Sequence, residues 1–423
     1  MATNSNAFEI LGCKATITIE TESTTAETQK YQIAGNNFIH YIRDEQYAMV
    51  GKPSVGISIP TAELKIVFPT PTLALGLVRA DKTKVNVLLT QGGDSDKDTQ
   101  IDSSYIVTNF DLNIKADAVE VTLYMLADLG DFISTAKIQA FGTEDDPVTS
   151  IKAIYEAVKA DSMEVVTDED AQDLTIKETY ETNDKQIWIQ GNIPTYQFIA
   201  NTIKHCNPTD PDLILVAINH DKIKIVSYNA TINKDKAKAK AYIYLSKPEN
   251  ESNLNTDGIM LMASNISLES SLGIYNYLLG VEAIPQVRMT ANKETIFGKI
   301  ANLIKKTNKP KEMFESERII APKFDCGNTH ENYWNSQLAN ERKLAQIYRN
   351  LIYIQTDGMV LSNKLNILDT AYLNIKGLDD KDSKADGGTP SKVLDGNFVV
   401  LGISRYISQT KISNRISLGR AEY

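Results

Sequence analysis

The chain has 423 residues, 42% of them hydrophobic, and a net charge of −10. That length exceeds what one core usually serves, so roughly two to four domains are expected. The acidic balance, with no basic stripe to interrupt it, disfavours binding that works by neutralising phosphates. Lysines gather at Lys234–Lys240 and Lys305–Lys311, where they read as solvated loop or strand-edge residues. The three cysteines, Cys13, Cys206 and Cys326, have no CxxC spacing, which argues against a disulfide framework and fits a reducing compartment of synthesis. The N-terminus lacks the basic and apolar regions of a signal peptide, and no apolar run is long enough to span a bilayer. A soluble chain outside the general secretory route, with no membrane insertion, is therefore expected.

From Phe8 to Ile19 apolar and polar residues alternate, the mark of a half-buried strand. Similar runs follow at Ile33–Ile42, Val55–Ile59, Leu64–Phe68, Leu73–Val78, Val85–Leu89, Ile106–Ile114, Val119–Leu126 and Phe132–Phe141, several of them separated by Gly- and Pro-rich turns. So many short strands predict a sandwich or barrel up to about residue 144. Beyond Pro147, Ile151, Ile154, Tyr155 and Val158 fall at helical spacing and predict a helix closing this first domain. Asp161–Thr182 is acidic and reads as an exposed connection. Ile187–Gly191 then leads into a second helix, capped by Thr195, with Tyr196, Ile199, Ala200 and Ile203 on one face. Strands at Leu213–Ile218 and Ile223–Tyr228 complete a small mixed α/β unit.

Strand character resumes at Tyr242–Leu245 and Ile259–Ile266, followed by a helical pattern over Glu294–Lys306 and an irregular connector from Asn308 to Pro322. A long helix is predicted from about Glu331 to Asn350, capped by Thr329 or Asn328, with Trp334, Leu338, Ala345 and Tyr348 on one stripe. Strands at Ile352–Gln355, Leu365–Leu368 and Ala371–Ile375 precede a charged loop over Leu378–Ser391. The last segment, Asn397–Arg420, reads as a strand pair that is marginal alone and must complete a sheet begun upstream. The letters show no repeat, although the first and last thirds are both strand-rich.

No known catalytic motif is present, and the four histidines, His40, His205, His220 and His330, lack a metal-ligand spacing. His205 beside Cys206 suggests a nucleophile and base, yet adjacent helical residues do not face each other. Asp325-Cys326-Gly327 with His330 would need a further ligand to hold a metal. Asp145-Asp146 and Asp379-Asp380 lie in hydrophilic stretches, where solvation is the simpler reading. No catalytic residue, metal or cofactor is assigned. The 19 tyrosines raise a carbohydrate-stacking surface as an alternative, but many lie in strand- or helix-like runs.

The stretch Asn328-Thr329-His330-Glu331-Asn332-Tyr333-Trp334, continuing to Asn340, resembles the baseplate hub proteins of contractile-tailed bacteriophages, in which a Thr-His-x-x-Tyr start opens a helix into the last β-domain. The Gly396–Gly419 pair and the Ile187–Tyr228 segment are also similar. Thr329, His330, Asn332, Tyr333 and Asn340 are the family-motif residues, with a structural role. The resemblance implies a mainly β chain with helical inserts (α+β): two tail-tube-like β-barrel domains plus a small mixed α/β domain. It sets a first barrel at residues 1–160, an insert at 161–229, and a second barrel built from 230–327 and 328–423. It further implies a homotrimer in the virion tail baseplate, made in the host cytoplasm. There it would join the sixfold tail tube protein to the threefold central spike protein, among other baseplate proteins, with DNA passing through its lumen unrecognised. The rival expectations are a β-sandwich adaptor or carbohydrate-binding tail protein and, behind it, a hydrolase on a β-scaffold.

Overall fold

The structure, a computed structural model, describes residues 8–10, 13–24, 28–33, 39–48, 58–68, 72–91, 100–115, 118–166, 181–209, 212–219, 222–234, 238–245, 258–270, 329–330, 332–358, 365–375, 394–408 and 410–421. It is mainly β with helical inserts. The first third forms β1 (Phe8–Ile10), β2 (Cys13–Glu22), β3 (Gln29–Ile33), β4 (Ile39–Tyr47), β5 (Thr61–Phe68), α1 (Thr72–Arg79), β6 (Lys82–Gln91), β7 (Gln100–Ile114) and β8 (Val119–Ala127). Alternation explains these strands: Ile17, Ile19, Leu64, Ile66, Val85, Val121 and Leu123 point into one core while the residues between them face outward. The strands pair in the order β2-β6-β7-β8-β5. The consecutive strands β3 and β4 cover its two ends, β3 on β2 and β4 on β5, and the seven strands β2 to β8 are here the first ring.

The insert comprises α2 (Asp131–Ser134), β9 (Lys137–Phe141), α3 (Ser150–Ala160), β10 (Glu164–Val166), β11 (Trp188–Ile193), α4 (Thr195–Lys204), β12 (Ile214–Asn219), β13 (Lys222–Ser227) and α5 (Tyr228–Ile232). The final part comprises β14 (Ala241–Tyr244), β15 (Ile259–Met262), β16 (Asn265–Ser270), α6 (Tyr333–Arg349), β17 (Asn350–Asp357), β18 (Thr370–Asn374), β19 (Gly396–Ser408) and β20 (Ile412–Gly419). Its path runs β14-β18-β19-β20-β17. β15 covers β14 and the next strand, β16, covers β17, which makes a second ring.

The two rings have the same strand order. If β2, β3/β4, β5, β6, β7 and β8 are matched with β14, β15/β16, β17, β18, β19 and β20, every neighbour relation of the first ring recurs in the second. The match extends to register. A shift falls between Val107 and Asn109 in the β7–β8 ladder and between Val400 and Gly402 in the β19–β20 ladder, and the hairpins close on Ile114↔Val119 and Ile407↔Ile412. One strand differs in direction: β2 is antiparallel to both neighbours, β14 parallel to both.

The rings share one 15-stranded sheet because β19 is long. Its first part pairs with β18, and its second part, Gly402–Ser408, pairs with β4 of the first ring. The C-terminal pair thus completes a sheet begun upstream, and Ile407 and Ile412 lie in the first core.

Several local expectations give way. Leu73–Val78 lies in α1, where Leu and Ala favour a helix. Phe132 lies buried within the short α2, which starts after Gly130 turns the chain at φ 53°, and of the expected Phe132–Phe141 strand Lys137–Phe141 is strand. Leu365–Leu368 is a turn with Leu368 at φ 64°. The helix expected to close the first domain, α3, packs Ile151, Ile154 and Val158 into the larger core with the insert and second ring. Pro194, not Thr195, is the N-cap of α4, which buries Phe198 and Thr202 along with Ile199 and Ile203. The N-cap of α6 is Asn332, which makes no side-chain capping hydrogen bond, and the helix buries Ser336, Asn340, Leu344 and Ile347. Val55–Ile57, Glu294–Lys306, Asn308–Pro322, Asp325–Asn328, His220 and Leu378–Ser391 lie outside the described residues, as do the side chains of His40, Trp334, Leu338 and Ala345.

Candidate functional site

The motif residues His330, Tyr333 and Asn340 converge on the end of α4. A helix leaves its last carbonyls without internal partners, and here the motif supplies donors. Asn340 Nδ2 donates to the carbonyls of Lys204 (3.0 Å) and Cys206 (2.8 Å), and His330 Nε2 lies 3.2 Å from the His205 carbonyl. His205 reciprocates through Nδ1, 3.1 Å from the Tyr333 carbonyl, and its ring stacks on Tyr333 at 3.5 Å and 9°. Because a carbonyl only accepts, both contacts require a hydrogen on the imidazole nitrogen concerned. The His330 amide donates to Gln186 Oε1 (2.9 Å), while Trp188, donating from Nε1 to the Val148 carbonyl, closes the cluster against His330 and Tyr333. Burial pushes the His205 imidazole down from 6.5 to about 4, and His330 and Lys204 add to this against the Tyr333 carbonyl. His205 is therefore neutral at pH 7. Thr329 is exposed, and Asn332 contributes its carbonyl, which accepts from the Ser336 amide and hydroxyl.

His205 and Cys206 do not work as a pair. Asp184, fully buried, accepts from the Ser150 amide and hydroxyl, the Thr182 hydroxyl and the Asn207 amide. Since Ser150 opens α3, this carboxylate sits where the helix dipole favours negative charge. The Cys206 thiol faces Ser150 and Asp184, and burial holds its pKa well above the ordinary value. What the arrangement does is fasten α3, β11, α4 and the start of α6 together. It offers no activated nucleophile.

The second concentration of buried polar groups lies on the seam between the rings. Arg405 and Asp44 stand directly opposite each other on β19 and β4, 1% and 4% exposed. Arg405 Nη1 donates to Asp44 Oδ2 at 2.7 Å, and Tyr105 reaches across the first core to Asp44 Oδ1 at 3.0 Å. Burial, then the Asp44 charge, holds the Tyr105 phenol well above its usual range. The pairing registers continue one polar face outward across β16, β17, β20, β19, β4, β5, β8 and β7. It carries Glu45, Glu63, Asp111, Glu120 and Glu269 against Arg43, Lys65 and Arg415. Tyr41 stacks on Tyr406, and Arg415 lies over the Tyr353 ring at 4.0 Å.

Sequence reasoning placed the motif but missed its partners Trp188, Gln186 and His205, which are separated from it by more than a hundred residues. It also missed Asp44 and Arg405. A signal for the latter existed, since Arg405 occupies an inward position between Ile403 and Ile407 in an alternating run. Among the described residues no group of three or more His, Cys, Asp or Glu side chains could hold a metal ion, and no helix is long and apolar enough to cross a membrane.

No protein-family model matches the sequence, and no curated protein does. Among solved structures the chain is similar to a tail protein from Neisseria meningitidis MC58, at 10% identity over 96% of each chain with a TM-score of 0.49. It is also similar to the 43 kDa tail protein of prophage MuSo2 from Shewanella oneidensis, at 10% identity over 96% of this chain and 97% of that one, with a TM-score of 0.48. A third likeness is to an E. coli component of the type VI secretion system described as structurally similar to T4 bacteriophage tail proteins gp27 and gp5. It has 6% identity over 92% of this chain and 74% of that one, with a TM-score of 0.45.

Proposed function

We propose that the chain is a structural protein of a phage tail or related contractile injection machine, a trimeric hub that joins a sixfold tail tube to a threefold central spike. The observation that carries this reading is the repeated strand order of the two rings. Three copies, each with two like-built rings, present six near-equivalent modules about a threefold axis. Such an assembly can meet a sixfold partner on one side and a threefold one on the other. The residues of the resemblance support it, because Thr329–Asn340 opens the helix that runs directly into β17, and Gly396–Gly419 is the hairpin that joins the rings.

In this reading the chain works through interfaces, and no catalytic step is assigned to it. Its partners are further copies of itself, the tube and spike proteins and other baseplate proteins, in the virion tail after synthesis in the host cytoplasm. The acidic sheet face described above lines the channel, where its excess of carboxylates keeps passing DNA from adhering. Sedimentation equilibrium and native mass spectrometry of the full chain test the reading. An assembly of three 46.9 kDa chains is expected. A monomer at every concentration, or a sixfold ring, would overturn it in favour of a β-sheet adaptor.

A further inference from the structure

The two-stranded β9–β11 ribbon of the insert is built inside out. Along Asp184–Gly191 the residues that turn into the protein are Asp184, Gln186, Trp188 and Gln190, all buried, while Ile187, half-buried, and Ile189 turn the other way. The inward polar groups have partners. Asp184 accepts from the Ser150 amide, Gln186 from the His330 amide, and Gln190 donates from Nε2 to the Ile193 carbonyl (2.7 Å) while accepting from Gln139 Nε2 (2.7 Å). The outward face is apolar instead. Ile138 is 80% and Ile189 66% exposed, and the register sets each isoleucine opposite a small exposed residue, Gly191 and Ala140 respectively. A half-buried strand ordinarily places these residue types the other way round. A continuous apolar face held outward by a satisfied polar layer beneath it marks a contact surface.

One end of the ribbon is acidic. The chain leaves the ladder after Phe141, where Gly142 turns at φ 84°, and rejoins it at the Val148–Gln186 bridge, at the level of Ile187. The loop between carries Glu144, Asp145 and Asp146, all exposed, with Lys185 next to the bridge as a partial counterweight. We propose that the ribbon docks an extended segment of a different protein, β-branched on one side, with lysine or arginine at the end that reaches Glu144–Asp146. The apolar side of that segment covers Ile138 and Ile189 and fills the hollows over Ala140 and Gly191, as the inner faces of two packed sheets interdigitate. Its cations meet the acidic loop and set its direction. Charge also selects the class of partner. This chain carries a net −10, so a second copy meets the acidic end with like charge, whereas a basic segment is drawn to it. The inference goes beyond the hub reading and requires no particular number of copies.

Fluorescence anisotropy of the full chain with two labelled peptides tests this. Both alternate isoleucine with threonine, and one begins with paired lysines where the other has paired glutamates. The lysine peptide is expected to bind about tenfold tighter or more. Ile138→Ser with Ile189→Ser, which changes side chains that lie in solvent, is expected to weaken its binding about tenfold or more. Glu144→Lys with Asp145→Lys and Asp146→Lys is expected to reverse the preference between the peptides. Thermal unfolding and assembly mass of both variants should match those of the parent. Binding of neither peptide, or binding indifferent to the isoleucines, would overturn the docking site and leave the hub reading standing, since that reading is tested by mass alone. A serine variant that falls to a smaller assembly would also overturn it, because the face then holds another copy of the chain.

Discussion

The two rings place corresponding strands in the same order but solve two local problems differently. The first strand of each ring occupies the same place with opposite direction. β2 arrives from the β1 hairpin, whereas β14 arrives from the insert, whose exit is tied down where Asn397 Nδ2 donates to the Ile232 and Lys234 carbonyls. A strand's place in the ring is thus set by the side chains it turns inward, and its direction by the connection that delivers it. At the seam positions the second ring presents Arg405 to Asp44, while the matching residue of the first, Leu112, is half-buried against its own core. A buried ion pair is weak evidence for stability but fixes register well, which suits a seam whose two strands always occur together in one chain.

The largest effect is expected there. Arg405→Leu leaves Asp44 as an uncompensated buried charge and should cost about 3–5 kcal/mol in denaturant unfolding. The double variant Asp44→Leu/Arg405→Leu, which copies the residues at the matching places, Leu268 for Asp44 and Leu112 for Arg405, should recover most of that loss. If the double variant is as unstable as the single, matching positions of the two rings are not interchangeable and the comparison fails.

The insert distinguishes the second ring next. His205 has a folded pKa of about 4 against an ordinary 6.5. The depressed value means that its contribution is fully present above pH 6.5 and is lost as pH falls through 4. Acidification from pH 7 to 4 should therefore loosen the α4–α6 junction by on the order of 2 kcal/mol. Hydrogen exchange should show α6 losing protection while β2 and β6 of the first ring keep theirs. His205→Phe, which preserves the stack on Tyr333, should remove that dependence. Equal loss in both rings would show general acid unfolding instead.

A smaller effect is expected where α6 rests on β20. A Cβ on Gly419 would lie 2.3 Å from Leu401 Cδ1 and 3.2 Å from the Ile347 carbonyl oxygen. Gly419→Ala should therefore cost about 1–3 kcal/mol. The corresponding first-ring residue is Leu126, half-buried, and Leu126→Ala should cost about 1 kcal/mol. The smaller loss would sharpen the view that, among the described residues, only the second ring carries a helix against this strand.

Much of the strand content was legible because alternation survives in single letters: Ile17 and Ile19, or Val121 and Leu123, announce an inward face. The repeat was not legible. Away from the seam residues Arg405 and Asp44, corresponding inward positions keep apolarity without identity, as Val119 with Ile412 and Leu123 with Ile416 show, and outward ones keep neither, as Tyr124 with Ser417 shows. Leu73–Val78 misled because a Leu-Ala-Leu-Gly-Leu pattern has period two by accident, while its composition favours a helix. At the junction, the motif letters marked His330 and Asn340 but not the α4 carbonyls they serve, since backbone acceptors leave no trace in composition.

Electron-microscopic class averages of the purified full chain, viewed along the assembly axis, test the central claim most directly. Six like-shaped lobes around an open centre, related in alternating pairs by a threefold axis, are predicted. Isolated two-lobed particles, or rings with a different number of lobes, would contradict it.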